Sequence, residues 1–434
     1  MSTVAEVKLW GRTVGAIALE KGQAAAAFEY DPAFAGSGIE VAPLTMPLSN
    51  RVYFFPELSQ VTFHGLPGLL ADSLPDRFGN ALINAWLATR GRTPESFNAV
   101  ERLCYTGKRG MGALEFEPTI GPKARRATRI QVDKLVELAS EILTNRENLK
   151  VSFTAPKKEQ ALREILKVGT SAGGARAKAV IAWNPSTNEV LSGQIPAGEG
   201  YGYWLLKFDG VKGNRDKELE DPKGYGVIEY AYYNMACDAK ITMSECRLFE
   251  ENGRRHFMTR RFDRLNNGEK LHMQSLCGLA HYDFNMAGAC GYEQALLAVK
   301  QLGLPMSAVE EQFRRMAFNI IARNQDDHVK NIAFLMDKSG KWSLSPAFDM
   351  TYSFNPSGKW TASHQMTVNG KRDNFTMEDF KACAKIASMK RGRAEKIVNE
   401  VLETVSRWRD YADQAGVSPS MRDQIQHALR LKGF

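Results

Sequence analysis

One stretch, residues 313–349, constrains the fold of this chain more than any other. Its first part repeats apolar side chains at the three- and four-residue steps of an amphipathic helix: Phe313, Met316, Ala317, Ile320 and Ile321. A polar segment, residues 324–331, follows directly, and a β-prone run leads away from it. A turn at residues 337–340 then sends a second extended run back beside the first. This hairpin brings Asp349 to the same end as Asp326 and Asn331.

Three oxygen-bearing side chains therefore converge at one end of the hairpin. An Asp, an Asn five residues later and a second Asp beyond a short hairpin are typical of a protein-kinase catalytic centre. In that arrangement Asp326 accepts the proton of the acceptor hydroxyl. Asn331 and Asp349 hold magnesium against the nucleotide phosphates, because a hard cation prefers carboxylate and amide oxygens. The alternative is that these residues cap a helix or form turns, as Asp and Asn usually do.

Length and composition limit the class of protein. A chain of 434 residues exceeds what one hydrophobic core usually serves, so two or more packed units are expected. The net charge of +8 suits a polyanionic partner such as nucleic acid or nucleotide. Six cysteines without a Cys-x-x-Cys pair argue against a zinc knuckle or a disulfide framework. No apolar run approaches a membrane span and Glu6 and Lys8 interrupt any signal-peptide core, so we expect a cytoplasmic protein.

The first 120 residues predict a compact α/β unit. Residues 7–19 have the pattern of a β-hairpin, and residues 81–88 have that of a helix. A second helix is predicted to start at Thr93, with Pro94 in its first turn. No catalytic constellation occurs in this part of the chain, so a structural or docking role is favoured.

A glycine-rich segment, residues 169–178, precedes a β-prone run. Glycines let backbone N–H groups approach phosphates closely. The segment is not a Walker loop, because it lacks the Lys-Ser/Thr ending and a strand follows in place of a helix. An ordinary loop is the alternative.

Lys207 interrupts the apolar run of residues 203–208, a costly place for an ammonium group unless it faces an anion. A kinase needs such a lysine on the nucleotide phosphates and a helical glutamate to hold it, and Glu229 in a helical stretch is the candidate partner. The alternative is a lysine that snorkels at a strand edge beside a solvated glutamate. A β-rich half before residue 265 and a helix-rich half after it match the two-lobed plan of a kinase.

The chain resembles the HipA family of bacterial toxin kinases over nearly its whole length. The segments that carry the resemblance are Val14-Gly15, residues 69–79, Gly173-Gly174-Ala175-Arg176-Ala177-Lys178, Leu205-Leu206-Lys207, Arg261-Phe262-Asp263-Arg264, Asp326-Asp327-His328-Val329-Lys330-Asn331 and Ser345-Pro346-Ala347-Phe348-Asp349. The resemblance implies a two-lobed, kinase-like α+β fold with an additional N-terminal α/β subdomain and an all-helical C-terminal lobe. It implies three units: residues 1–120, the N-lobe 121–264 and the C-lobe 265–434.

The resemblance also assigns roles to residues. It implies that Asp326 is the catalytic proton acceptor, that Asn331 and Asp349 bind Mg²⁺, and that Glu229 pairs with Lys207. The residues implied at the ATP site are Gly173, Gly174, Ala175, Arg176, Ala177, Lys178, Lys207, Arg260, Arg261, Phe262, His328, Val329, Lys330, Asn331, Phe348 and Asp349. The sequence departs from the best-known member in three places: the Arg176-Ala177 pair in place of Gln-Glu, Asp327 in place of Gly, and Arg260 in place of an acidic residue.

Members of this family phosphorylate serine or threonine on proteins, aminoacyl-tRNA synthetases being the characterised substrate class. They pair with HipB, a helix-turn-helix antitoxin that represses their operon. The resemblance therefore implies ATP and Mg²⁺ as cofactors and a protein substrate, a HipB-like antitoxin and operator DNA as partners. It also implies regulatory phosphorylation of Ser171, whose added charge would oppose the ATP phosphates.

Lys371 and Arg372 follow an Asn-Gly turn and match the family region that meets operator DNA. A solvated basic loop is the alternative for this pair.

Two other functions stay open for the whole chain. The same ATP site would serve a kinase-fold enzyme acting on a small molecule. A non-catalytic DNA-associated regulator suits the basic charge, but the presence of Lys207, Asp326, Asn331 and Asp349 argues against it.

Overall fold

The computed structural model describes residues 2–121, 129–144, 162, 165–166, 168, 176–211, 215–216, 219–220, 224–265 and 267–434. The N-terminal part contains a five-stranded antiparallel sheet with the spatial order β4-β3-β2-β1-β5. Its strands are β1 (Thr3–Leu9), β2 (Arg12–Leu19), β3 (Ala27–Tyr30), β4 (Tyr53–Phe54) and β5 (Leu114–Glu117). The hairpin predicted for residues 7–19 is confirmed as β1 and β2.

Helices make up much of the rest of the N-terminal part. They are α1 (Pro32–Ala35), α2 (Gln60–Phe63), α3 (Gly68–Ala71), α4 (Arg77–Thr89) and α5 (Ala99–Thr106). The predicted helix start at Thr93 is wrong. Residues Pro94–Ser96 form a single 3-10 turn, and α5 begins only after Asn98. Asn98 and Glu101 form a reciprocal capping box there, which satisfies the free N–H groups of the first turn.

A second five-stranded antiparallel sheet has the order β11-β12-β8-β6-β7. Its strands are β6 (Lys178–Asn184), β7 (Glu189–Ser192), β8 (Gly202–Lys207), β11 (Cys246–Glu251) and β12 (Arg254–Arg260), and two short strands, β9 (Arg215–Asp216) and β10 (Leu219–Glu220), pair separately. Helix α6 (Val132–Thr144) shares its apolar core, and α7 (Tyr225–Asp238) contacts β11 and β12. This assembly forms the β-rich lobe.

The remaining chain forms the helix-rich lobe. Its helices are α8 (Leu276–Ala280), α9 (Tyr292–Gln301), α10 (Met306–Ile321), α11 (Met377–Ile386), α12 (Arg393–Ser406), α13 (Trp408–Ala415) and α14 (Pro419–Ala428). A three-stranded sheet also belongs to it: β13 (His272–Ser275), β14 (Ala333–Met336) and β15 (Trp342–Leu344). The C-terminal lobe is therefore predominantly helical but not all-helical, because the hairpin that carries the catalytic loop pairs with β13. The two-lobed, kinase-like α+β fold with its N-terminal subdomain is confirmed.

The N-terminal subdomain packs against both lobes. Phe78 and Leu82 of α4 lie in one apolar core with α6, β6 and β8. The first sheet instead shares a core with α7 and the C-terminal helices. Gly68 of α3 approaches Gly278 of α8 so closely that a Cβ on Gly68 would lie 2.2 Å from the Gly278 carbonyl oxygen. Among the described residues, we find no helix with the length and apolar character needed to span a membrane.

Candidate active site

Lys207 lies at the centre of the cleft between the lobes. Its Nζ is 2.6 Å from Glu229 Oε1 of α7, and it also donates to Asp349 Oδ1. Burial alone would lower the pKa of Lys207, but the carboxylates of Asp349 and Glu229 outweigh this effect and raise the pKa above its usual value. Lys207 is therefore a fixed cation that connects β8, α7 and the end of the catalytic hairpin.

The backbone at Asp349 adopts a conformation that a non-glycine residue rarely takes. Its φ is +52°, in the left-handed region. The Asn324 side chain donates to the Asp349 carbonyl oxygen at 3.3 Å and supports this conformation. The side chain is 31% exposed and so remains open to a ligand. Strained backbone of this kind concentrates at functional sites, because the surrounding contacts must compensate for its cost.

Asp326 and Asn331 lie on the turn between α10 and β14. Asn331 Nδ2 donates to the Asp326 carbonyl oxygen at 3.0 Å, which closes the turn. This hydrogen bond uses the amide nitrogen and leaves Oδ1 as the atom that could accept a cation. The Asp326 side chain is 28% exposed. The turn therefore presents one carboxylate and one amide oxygen at the cleft.

The neighbouring residue Asp327 has a different environment. Its side chain is completely buried and accepts hydrogen bonds from Tyr292 Oη (2.8 Å), His364 Nδ1 (2.7 Å) and Gln365 N (2.8 Å). Arg430 Nη1 donates to His364 Nε2 at 2.7 Å. Because Nε2 accepts from Arg430 and Nδ1 faces the Asp327 carboxylate, the ring carries its proton on Nδ1, and burial lowers the pKa of His364. Asp327 therefore holds the catalytic turn to the segment that follows Asp349.

Trp360 is a residue at this site that the sequence did not predict. Its indole Nε1 donates to Asp326 Oδ1 at 2.6 Å. Gln365 Nε2 donates to the Trp360 carbonyl oxygen at 2.5 Å, and Gln325 Nε2 donates to the Thr361 carbonyl oxygen at 3.3 Å. A tryptophan in a loop has no periodicity that would have identified this contact. The bond fixes one oxygen of the predicted proton acceptor.

The predicted glycine loop lies only partly in the described chain. Gly173, Gly174, Ala175 and Ser171 fall outside the described residues. Arg176 stacks on the Tyr225 ring, 3.5 Å from its centroid, and its Nη1 lies 4.0 Å from Glu229 Oε2. Ala177 is buried, and its carbonyl oxygen accepts from Phe208 N at 3.0 Å. Lys178 Nζ lies 3.2 Å from Asp76 Oδ2 of the N-terminal subdomain.

At the end of β12, the backbone of Arg260 and Arg261 bonds within the sheet, whereas the Arg261 side chain is buried. Arg260 pairs with Trp204 through the sheet, and Arg261 N donates to the Tyr203 carbonyl oxygen at 2.8 Å. The Arg261 side chain makes two hydrogen bonds with buried Asp263, at 2.8 and 2.7 Å. The Arg261 side chain therefore lies in the core.

The other predicted ATP-site residues lie around the catalytic turn and between the lobes. The rings of Phe262 and Phe348 are 5.7 Å apart, so these two residues meet. His328 Nε2 is 3.8 Å from Asp326 Oδ1, and Lys330 Nζ lies 5.1 Å from the centre of the Phe284 ring. Val329 is buried in the apolar core and contributes no polar group from its side chain.

The predicted DNA-contacting pair has contacts within the chain. Lys371 Nζ is 2.8 Å from Asp379 Oδ2, and Arg372 Nε donates to the His364 carbonyl oxygen at 2.5 Å. Burial would raise the pKa of Asp379, but hydrogen bonds from Lys371, Asn369 and the Thr376 backbone lower it to about 2. The Lys371 side chain is still 45% exposed, which leaves it accessible to a partner.

The chemistry of the donor set fits Mg²⁺. The Asp349 carboxylate and the Asn331 amide oxygen are hard ligands, and Mg²⁺ in kinase sites is held by one or two such groups together with substrate phosphates and water. A search of the described residues found no cluster of three or more His, Cys, Asp or Glu that could hold a metal by itself. The residues present therefore fit an Mg²⁺ site in which the phosphates of a nucleotide supply the remaining ligands.

The fold and this arrangement of residues define a kinase-type enzyme. Residues 170–408 match the HipA-like C-terminal domain, and residues 5–117 match the HipA N-terminal domain. The chain therefore belongs to the HipA family, as its motifs predicted. A search of curated proteins gave no match.

One solved structure has the same fold over nearly the whole chain. The chain is similar to HipA in the Shewanella oneidensis MR-1 complex of HipA, HipB and operator DNA, with a TM-score of 0.67 and 14% sequence identity. That match covers 98% of this chain and 94% of the other. A weaker match, to the Helicobacter pylori proinflammatory kinase CtkA, has a TM-score of 0.38 and 11% identity, and covers 59% of this chain and 86% of that one.

Proposed function

We propose that the chain is an ATP-dependent serine/threonine protein kinase and the toxin of a toxin–antitoxin pair. The observation that carries the proposal is the connection of Lys207 to both Glu229 and Asp349, beside a turn that presents Asp326 and Asn331. A lysine held by a helical glutamate, with a carboxylate and an amide at the end of a hairpin, is what phosphoryl transfer requires. Family membership supports the same function.

In this proposal the residues of the site have separate roles. Lys207 binds nucleotide phosphates, and Glu229 holds its ammonium group in place. Asp326 accepts the proton of the acceptor hydroxyl, and Trp360 fixes the orientation of its carboxylate. Asn331 and Asp349 would hold Mg²⁺, which when bound neutralises charge on the phosphates. The backbone of Arg260 would contact the nucleotide base, and Ala177, Phe262 and Phe348 would line the ATP site.

The substrate class is tested by phosphate transfer from radiolabelled ATP. The purified chain is incubated with Mg²⁺ and either a bacterial protein extract or a panel of metabolites with hydroxyl groups, and Asp326→Asn serves as the inactive control. We expect label on a protein of the translation machinery, such as an aminoacyl-tRNA synthetase, on serine or threonine. Label confined to the metabolite panel would contradict the proposal and favour a small-molecule kinase. An absence of ATP binding would favour a non-catalytic regulator.

We also propose a helix-turn-helix antitoxin of the HipB type as partner, with operator DNA bound by the complex. The Shewanella oneidensis protein with the same fold was solved with HipB and operator DNA, and this supports the proposal. Lys371 and Arg372 are the proposed DNA contacts. Lys371→Gln should lower DNA affinity of the complex and reduce its salt dependence by about one counterion. Lys381→Gln, at a lysine of similar exposure, is the control.

Ser171 stays the proposed regulatory phosphorylation site. A phosphoserine would add nearly two negative charges to the segment proposed to hold the ATP phosphates, and it would silence the enzyme by repelling them. Peptide mass spectrometry after incubation with Mg-ATP should find phosphate on Ser171 in the parent chain and none in Asp326→Asn. Modification of Thr170 in place of Ser171 would move the assignment by one residue.

A further inference from the structure

A buried ion pair joins the N-terminal subdomain to the first residue of β6 in the β-rich lobe. Asp76 Oδ2 lies 3.2 Å from Lys178 Nζ, and each of the two side chains is only 5% exposed. Asp76 is also the N-cap of α4, because its Oδ1 accepts from Gly79 N at 2.6 Å. One carboxylate therefore has two functions: one oxygen caps a helix of the subdomain, and the other faces a lysine of the β-rich lobe.

Lys178 is the strand partner of Lys207. It lies directly opposite Lys207 in the pairing of β6 with β8, and opposite residues of an antiparallel pair project from the same face of the sheet. Lys207 itself donates to Glu229 and Asp349, so Lys178 lies beside the cation that contacts both carboxylates. Two like charges at such positions repel each other. Asp76 supplies a negative charge that offsets this repulsion.

The same short segment contacts the other lobe. Asp72, four residues before Asp76, accepts from Ser275 N at 2.6 Å and from Ser275 Oγ at 2.7 Å. Ser275 is the N-cap of α8, which packs against the catalytic turn. Residues 72–76 therefore connect the two lobes, because Asp72 contacts the helix-rich lobe and Asp76 contacts the β-rich lobe.

We propose that Asp76 is a positioning residue for phosphoryl transfer. It holds the ammonium group of Lys178 on the phosphate side of the cleft, so that nucleotide affinity depends on the N-terminal subdomain. This inference rests on the proposed function, in which Lys178 belongs to the ATP site. A buried ammonium that loses its carboxylate is strongly unfavourable, so Lys178 leaves its position when the charge on Asp76 is removed.

The test is a double-mutant cycle in the full-length chain. Asp76→Asn removes the charge and keeps the cap, because Asn is as good an N-cap as Asp. Lys178→Met keeps the aliphatic stem and removes the ammonium. Asp31→Asn, at an aspartate that caps α1, is the matched control. The dissociation constant for Mg-ATP is measured by calorimetry, and KM and kcat are measured by phosphate transfer.

We expect Asp76→Asn and Lys178→Met each to weaken Mg-ATP binding and raise KM about tenfold, the effect of about 1.4 kcal/mol, with kcat changed less. The double variant should bind like Lys178→Met, because Asp76 acts through Lys178. Asp31→Asn should bind like the parent. If Asp76 acted only on the fold and independently of Lys178, the losses in Mg-ATP affinity caused by the two substitutions would add.

Three results would overturn the inference. They are Asp76→Asn binding as tightly as the parent, additive losses in the double variant, and an equal loss in Asp31→Asn. A parent chain that binds no Mg-ATP would instead overturn the proposed function and this inference with it. If Asp76→Asn does not fold, Lys178→Met and the double variant still decide. A tenfold weaker Mg-ATP affinity shared by those two variants supports the inference, and parent-like affinity in Lys178→Met or a further loss in the double variant contradicts it.

Discussion

Asp326 and Asp327 are adjacent in the sequence but differ in environment. Asp326 is partly exposed at the cleft and accepts from Trp360, whereas Asp327 is buried and accepts from three donors. A proton acceptor must reach a substrate hydroxyl, so burial favours Asp326 for catalysis and Asp327 for structure. The sequence motif favoured the same residue on spacing alone.

The two roles predict different consequences of substitution. Asp326→Asn should reduce kcat by at least about 10²-fold, the usual contribution of a general base, with Mg-ATP affinity and stability unchanged. Asp327→Asn should instead destabilise the fold by about 1–3 kcal/mol, because a buried hydrogen-bonding network loses its charged acceptor. Single-turnover phosphate transfer, nucleotide calorimetry and urea unfolding separate these effects. Activity retained by Asp326→Asn but lost by a stably folded Asp327→Asn would assign catalysis to the other residue.

Trp360 gives a second prediction at this scale. Trp360→Phe removes the hydrogen bond to Asp326 and keeps most of the ring. A hydrogen bond to a charged group is worth about 1.5–3 kcal/mol, and we expect about a tenfold lower kcat with an unchanged KM for ATP. Trp342→Phe is the control, since its indole donates to the Glu40 carbonyl oxygen at 3.0 Å, away from the cleft. Equal kcat in the two variants would show that Trp360 does not position the carboxylate.

Single residues were predictable from the sequence when a local pattern made them unusual. Lys207 interrupts an apolar strand, and Asp326 and Asn331 have fixed spacing after an amphipathic helix. Trp360 reaches Asp326 across 34 residues, and Asp76 reaches Lys178 across 102. Such contacts depend on how distant segments pack, which no local periodicity reports.

At the scale of elements, strands and helices with clear periodicity were predictable and helix starts were not. The strand around Lys207 and helix α10 lie where the pattern predicted. The helix predicted at Thr93 failed because Pro94 and Glu95 are also compatible with one 3-10 turn, and the true cap is Asn98.

That difference in capping can be measured. Asn98→Ala removes the side chain that accepts from Glu101 N at 2.9 Å, and we expect a loss of about 1 kcal/mol in the free energy of unfolding. Thr93→Ala should change it by less than about 0.5 kcal/mol, because Thr93 makes no capping hydrogen bond with its side chain. Urea unfolding monitored by tryptophan fluorescence compares the two variants. A larger loss at Thr93 would place the effective helix start where the sequence predicted it.

At the scale of the molecule, the N-terminal subdomain connects the two lobes. Its α4 shares a core with the β-rich lobe, and its α3 packs on α8 of the other. Asp263 strengthens the connection, because it accepts from Gly112 N at 2.7 Å while it pairs with Arg261. The sequence predicted two lobes and a subdomain from composition and motifs. It did not predict this bridging, since the contacts join residues more than 100 positions apart.

The contact between Gly68 and Gly278 gives the last prediction. An added Cβ at Gly68 would lie 2.2 Å from the Gly278 carbonyl oxygen and 2.5 Å from the His281 ring, so α3 and α8 must separate to admit it. Gly68→Ala should therefore destabilise the chain by about 1–3 kcal/mol, as overpacking does in a dense core. It should also lower kcat, because α8 packs against the turn that carries Asn331. Gly36→Ala is the matched control, since the nearest atoms to its Cβ are 3.8 and 3.9 Å away. Urea unfolding and phosphate transfer are measured on both variants. If Gly68→Ala is as stable and as active as Gly36→Ala, the close approach of the two helices does not hold the subdomain against the catalytic lobe.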